Sequence, residues 1–93
     1  MSSIAIILVT SSGDLNSDYE AHLLDATNNA ITANLPDFAA DGDSYLLSRV
    51  DTSLNGVTVV APSGKTINNS SSVAMLPGNK FRVISYGTNY YLF

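Results

Sequence analysis

Cysteine and tryptophan are both absent from this chain. Without cysteine there is no disulfide framework and no thiolate zinc site to reinforce a small core, so association with further copies is the expected alternative. Charge is scarce too, at 13% of residues against about a quarter in ordinary globular chains. Arg49, Lys65, Lys80 and Arg82 are the whole cationic complement, and eight acidic residues bring the net charge to −4. Four cations are too few to neutralise several phosphates, which makes nucleic acid a poor partner. The same deficit argues against anionic membranes. Long apolar runs are missing: "IAIILV" at residues 4 to 9 is far short of the roughly 20 residues that span a bilayer. "MSSIAIILVTSSGD" has no basic residue to open a secretory signal, so the chain is expected to start here as synthesised.

What is present points to β structure. A length of 93 residues suits one core, since halves would each bury too little apolar surface. Apolar residues make up 45%, and 13 Ser, 7 Thr and 9 Asn fill much of the polar remainder. These side chains suit solvated strands and turns and compete with helical hydrogen bonding.

Along the chain, "SIAIILVT" (residues 3 to 10) is apolar without clear alternation, as in a strand covered on both faces. A turn-rich loop follows at 11 to 18. Ser17 and Glu20 fit a capping box for a short helix, but "HLLDATNNAITANL" reads in preference as two strands around Thr27, Asn28 and Asn29. Pro36 ends that pairing. After a loop at 37 to 43, "SYLLSRVD" places Tyr45, Leu47, Arg49 and Asp51 on one face, with Leu46, Ser48 and Val50 on the other. Asn55-Gly56 predicts a hairpin into "VTVVA". Turns at 62 to 64 and 77 to 79 bracket a brief return, a polar "NNSSS" loop and "VAML". "KFRVIS" and "NYYLF" flank Tyr86-Gly87-Thr88 as a bulged hairpin, with Tyr91 and Phe93 expected to close the core while Tyr86 and Tyr90 stay available. The pattern predicts an all-β fold: a small antiparallel sandwich or open barrel of about eight short strands.

Chemistry-bearing residues are sparse. His22 is the sole histidine and Glu20 the sole glutamate, leaving no recognisable triad or acid-base pair. His22 is expected as a polar strand or turn residue. Asp37, Asp41 and Asp43 around Gly42 share carboxylates and glycine with calcium loops, but the EF-hand spacing and its closing glutamate are missing, so a solvated turn is expected. The sequons at Asn68 and Asn69 carry little weight without a secretory signal. Arg49 and Asp51, two apart on one strand face, are expected to form a surface ion pair, with a neighbouring strand or subunit as the alternative. No enzyme activity, metal or cofactor is expected.

From Leu23 to Phe93 the sequence resembles a module that recurs in tailed-bacteriophage virion proteins. The features that carry the likeness are Leu35-Pro36, Gly42, Arg49 with Asp51, Val57 to Val59, Gly64 with Ile67, and the closing Ser85, Gly87, Thr88, Asn89, Tyr90 and Tyr91. Tyrosine stands at position 90 where that module often has tryptophan. The resemblance implies a homotrimeric β-structure found at tail-fibre and spike tips and in capsid decoration proteins. Residues 21 to 93 would form the module, and residues 1 to 20 an N-terminal strand and loop. A fibre shaft is not expected within so short an upstream segment, which favours a decoration or cement protein. It would be made in the host cytoplasm and would trimerise on the virion surface, bridging major capsid protein subunits. Ile4, Ile6, Ile7, Leu8 and Val9 are the expected subunit or capsid contacts, because an exposed apolar edge strand would otherwise aggregate. The alternative is a receptor-binding tip contacting host surface saccharide through Tyr86, Asn89 and Tyr90. A polysaccharide-cleaving enzyme is the least expected reading.

Overall fold

The computed structural model describes residues 4 to 37 and 40 to 93. The expected strand start at Ser3, and Phe38 and Ala39 of the 37-to-43 loop, lie outside the described residues. The described chain is all-β, with nine short strands: β1 (Ile6–Val9), β2 (Gly13–Asp14), β3 (Ala21–Leu24), β4 (Ile31–Asn34), β5 (Ser44–Arg49), β6 (Val57–Val60), β7 (Ser72–Ala74), β8 (Lys80–Tyr86) and β9 (Asn89–Leu92). Residues 21 to 24 are therefore strand, and the helical alternative for that stretch is overturned.

The strands form two mixed sheets, ordered β1-β3-β5-β8-β9 and β2-β4-β6-β7. From β1 to β6 the chain changes sheet at every connection, so β1, β3 and β5 stack parallel in one sheet while β2, β4 and β6 stack parallel in the other. Antiparallel pairing begins with β7, β8 and β9. The antiparallel expectation is corrected accordingly. The turns at Thr27 to Asn29 and at Asn55-Gly56 are not hairpins, because each joins strands of different sheets. A short polar turn has the same composition whether the chain returns beside itself or crosses the core; what decides is where the buried residues of the next strand find partners.

The interior draws on both sheets. Leu24, Tyr45, Leu47, Val83 and Tyr90 from the larger sheet join Ile31, Ala33, Val57 and Val59 from the smaller in one buried cluster, which Leu15, Leu35, Ile67 and Met75 extend from flanking segments. Strict alternation in β4 and β6 gives the smaller sheet a polar outer face that includes Thr32 and Thr58.

The final hairpin forms, with a tighter turn than expected. Tyr86 pairs with Asn89, leaving a two-residue loop of Gly87 and Thr88, whose φ angles are 58° and 75°. Two left-handed residues match the right-handed twist of the strands, but Thr88 is β-branched and pays a steric penalty that glycine escapes. Thr88→Gly should therefore raise stability by about 1 kcal/mol in chemical denaturation, after allowance for the unfolded-state entropy that glycine adds. A similar turn at Asn68 and Asn69, at φ 48° and 71°, closes the pairing of Ile67 with Ser70; asparagine tolerates this region better than most residues.

Candidate association surface

β5 buries alternate side chains, and β3 sets His22 and Leu24 toward the core with Ala21 and Leu23 on the opposite face, although Ala21 too is buried. In register, Ile6, Ala21, Leu46 and Arg82 form one row across four strands of the larger sheet. Leu8, Leu23, Ser48 and Lys80 form a second, and Ser44, Ile84 and Tyr91 a third. Phe93 completes the first row: its N–H donates to the Arg82 carbonyl at 2.8 Å. The outer face thus carries apolar residues on all five strands or their extensions, interrupted by Ser44, Ser48, Lys80 and Arg82, and Phe93 is 76% exposed upon it. Leu23, Leu46, Lys80, Arg82 and Phe93 border a shallow depression there. Lys65 and Arg49 have carboxylate partners; among the described residues, Lys80 and Arg82 have none and sit within this apolar surface.

The expected contact strand is split by the fold. Ile4, Ile6 and Leu8 point outward and are exposed, whereas Ile7 and Val9 are half-buried on the core side. Within the single chain β1 is an edge strand with one face open, so cover on both faces would need another subunit. β3 takes the carbonyls of Ala5 and Val9, which turns the backbone groups of Ile6 and Leu8 toward the open edge. At the opposite edge, β9 is capped by residues 66 to 68, since the Tyr90 N–H donates to Thr66 O and the Asn68 N–H to Tyr90 O.

The terminal aromatics follow the expected parity with the faces exchanged. Tyr90 is 2% exposed and belongs to the core, whereas Tyr91 and Phe93 face outward. The cause is the two-residue turn, which pairs Tyr90 with Ser85 and Leu92 with Val83 on the buried side of β8; a three-residue loop would shift the register by one and set Tyr91 there. The Tyr90 phenol donates to the Pro36 carbonyl, and burial raises its pKa above the ordinary tyrosine value. Tyr90→Phe should cost about 1–2 kcal/mol, read from the denaturation midpoint, because the Pro36 carbonyl loses its donor. Tyr86 remains exposed, and the Asn89 side chain accepts from the Thr66 N–H at 3.0 Å. Tyr86, Asn89 and Tyr90 do not share one platform.

Arg49 and Asp51 are not a surface pair. Both are buried, and Nε donates to Asp51 Oδ1 at 3.1 Å. Nη1 donates to Met75 O at 2.7 Å, and Nη2 to Asp51 Oδ2, Ser53 O and Asn55 O. The partners lie within the same chain, on its own strand extension and two loops. The Arg49 guanidinium, then the Ser53 hydroxyl, hold the Asp51 carboxyl well below its usual range.

His22 lies in a strand, one of its two expected settings, on the inner face of β3, and is 1% exposed. Nε2 lies 3.1 Å from Asn16 O, an acceptor that fixes the proton on Nε2 and leaves Nδ1 buried without a partner. Desolvation lowers its pKa from 6.5, opposed by the Asn16 hydrogen bond. The folded form thus resists a proton that the unfolded chain accepts near pH 6.5. Ionisation of His22 contributes nothing to stability well above that pH and should cost stability as pH falls below it, until the folded pKa is reached. Unfolding midpoints measured from pH 7.5 to 5 should decline in the native chain and lose that component in His22→Gln.

Asp37, Asp41 and Asp43 serve the local backbone. Asp37 pairs with Lys65 at 3.0 Å, Asp41 accepts from the Gly87 N–H at 2.8 Å, and Asp43 accepts from the Ala40 N–H at 2.9 Å. Among the described residues no three His, Cys, Asp or Glu side chains converge as a metal-binding group. Sequence reading missed Leu23, Leu46, Ile84 and Phe93 as one outer surface. The available signal was adjacent apolar residues in strands, Leu23-Leu24, Leu46-Leu47 and Val83-Ile84, each of which must place one on either face. Compared with protein-family models and with curated protein sequences, the chain matches neither.

Proposed function

We propose that this chain is a bacteriophage virion structural protein, a capsid decoration protein that acts by association and carries out no chemistry. In this reading its two sheets form a sandwich, three copies assemble on the head surface, and the trimer bridges major capsid subunits. The observation that carries the proposal is the apolar outer face of the five-stranded sheet. An open face of this kind, bordered by an unprotected edge strand, is a liability in an isolated domain and an asset in a subunit. The resemblance of residues 23 to 93 to a phage virion module supplies the setting. Clamping neighbouring capsid subunits stabilises the shell by mass action, since the bound protein favours the assembled state.

Antibody labelling of purified virions tests this reading. Uniform labelling of the head, with loss of heat resistance but retained host adsorption when the gene is deleted, is the expected result. Label confined to the tail, together with lost adsorption, would replace it with the receptor-binding reading.

A further inference from the structure

Arg49 does more than neutralise Asp51. Its Nη2 holds the carbonyls of Ser53 and Asn55, on either side of Leu54, and its Nη1 holds the carbonyl of Met75, next to Leu76. The Asn79 side chain fixes the Leu76 N–H at 2.9 Å. Leu54 is nonetheless fully exposed and Leu76 is 66% exposed. A buried arginine thus anchors two loops whose leucines have no cover, and apolar groups held in place lose little freedom on docking. The Asn55 amide donates to Ala26 O at 2.7 Å, tying residues 25 to 27 to the same end of the molecule. Among the described residues, Asp25 there has only Thr27 as a hydrogen-bond donor, through its N–H and hydroxyl, and no cation.

We propose that this tip, carrying Leu54 and Leu76, docks on the outer face of the five-stranded sheet of a second copy. The inference rests on the association reading above and names the two surfaces that meet. The face offers the apolar depression around Leu23, Leu46 and Phe93, with Lys80 and Arg82 beside it. The tip brings leucine to apolar surface and the Asp25 carboxylate to cations that lack a carboxylate partner among the described residues of their own chain. Tip and face are different patches, so the contact is either reciprocal about a twofold axis or head-to-tail, and a closed head-to-tail ring needs at least three copies.

The absence of native cysteine permits a direct test. Chains carrying Leu54→Cys and chains carrying Leu46→Cys are oxidised separately and as a mixture. Disulfide-linked pairs in the mixture alone are expected. Pairs formed by Leu46→Cys alone, or by Leu54→Cys alone, would indicate face-to-face or tip-to-tip contact and overturn the proposal, as would a mixture without cross-links. Charge exchange gives a second readout. Arg82→Glu should raise the concentration for half-assembly by about tenfold or more, and adding Asp25→Lys to the same chain should restore most of it. Failure of that restoration would also contradict the contact. Virions labelled on the head with the wrong cross-linking pattern would remove this contact and leave the decoration reading intact.

Discussion

Replacing Arg49 with methionine should lower the unfolding free energy by about 3–5 kcal/mol, a large share of the roughly 5–15 kcal/mol available to a small domain. The loss comes less from the ion pair than from what the substitution leaves behind. Asp51 would remain buried without its counter-charge, and the carbonyls of Met75, Ser53 and Asn55 would lose a common donor. Lysine keeps the charge but cannot present a planar fork to several acceptors, so Arg49→Lys should recover less than half of the loss. Removing both charges, with Arg49→Met and Asp51→Leu together, should be milder than Arg49→Met alone, because no unpaired carboxylate remains. Equilibrium urea denaturation of the set checks the order. In the native chain, the depressed Asp51 pKa adds stability above its unfolded pKa of 3.8 that is lost progressively as pH falls below it. The Asp51→Leu chain should lack that acid-dependent component.

Leu23→Asp should abolish self-association while leaving each copy folded. Leu23 lies on the outer face between Leu8 and Ser48, outside the buried cluster. A carboxylate there costs the single copy about 1 kcal/mol in strand preference. In an assembled face the same carboxylate would be stripped of water among apolar side chains, and the dissociation constant should rise at least ~100-fold, equivalent to about 2.7 kcal/mol. Concentration-dependent light scattering measures the association, and thermal unfolding of the dilute variant verifies that it is folded. Thr32→Asp makes the matched control: it places the same charge on the polar outer face of the smaller sheet and should leave association unchanged.

The all-β class was legible in the sequence because it follows from local chemistry. Serine, threonine and asparagine abound, apolar residues alternate in 31 to 35 and 57 to 59, and turn formers separate the strands. The burial of Tyr45, Leu47, Arg49 and Asp51 on one side follows the parity read from "SYLLSRVD". The path of the chain was not legible. The turns at Thr27 to Asn29 and Asn55-Gly56 report that the chain bends and carry no information about which sheet receives the next strand. A related gap reversed the faces of β9: alternation separates Tyr90 from Tyr91, but the length of the turn, two residues and not three, sets the register against β8 that decides which of them is buried. The outer surface was hidden for a related reason. Leu23, Leu46 and Ile84 come from three strands and Phe93 follows a fourth, and only the register of the folded sheet places them together. Arg49 and Asp51 were recognisable as a pair, whereas their burial depends on loops at residues 26, 53 to 55 and 75 to 79, which only the fold brings together.

Sedimentation equilibrium of the purified chain, run beside Leu23→Asp, tests the association account most directly. The account predicts a native species of about three times the 9.8 kDa chain mass, and a return to the single-chain mass in the variant with its fold retained. A native chain that sediments at 9.8 kDa up to ~100 μM, where even a weak contact of about −5.5 kcal/mol would be half-formed, would contradict it.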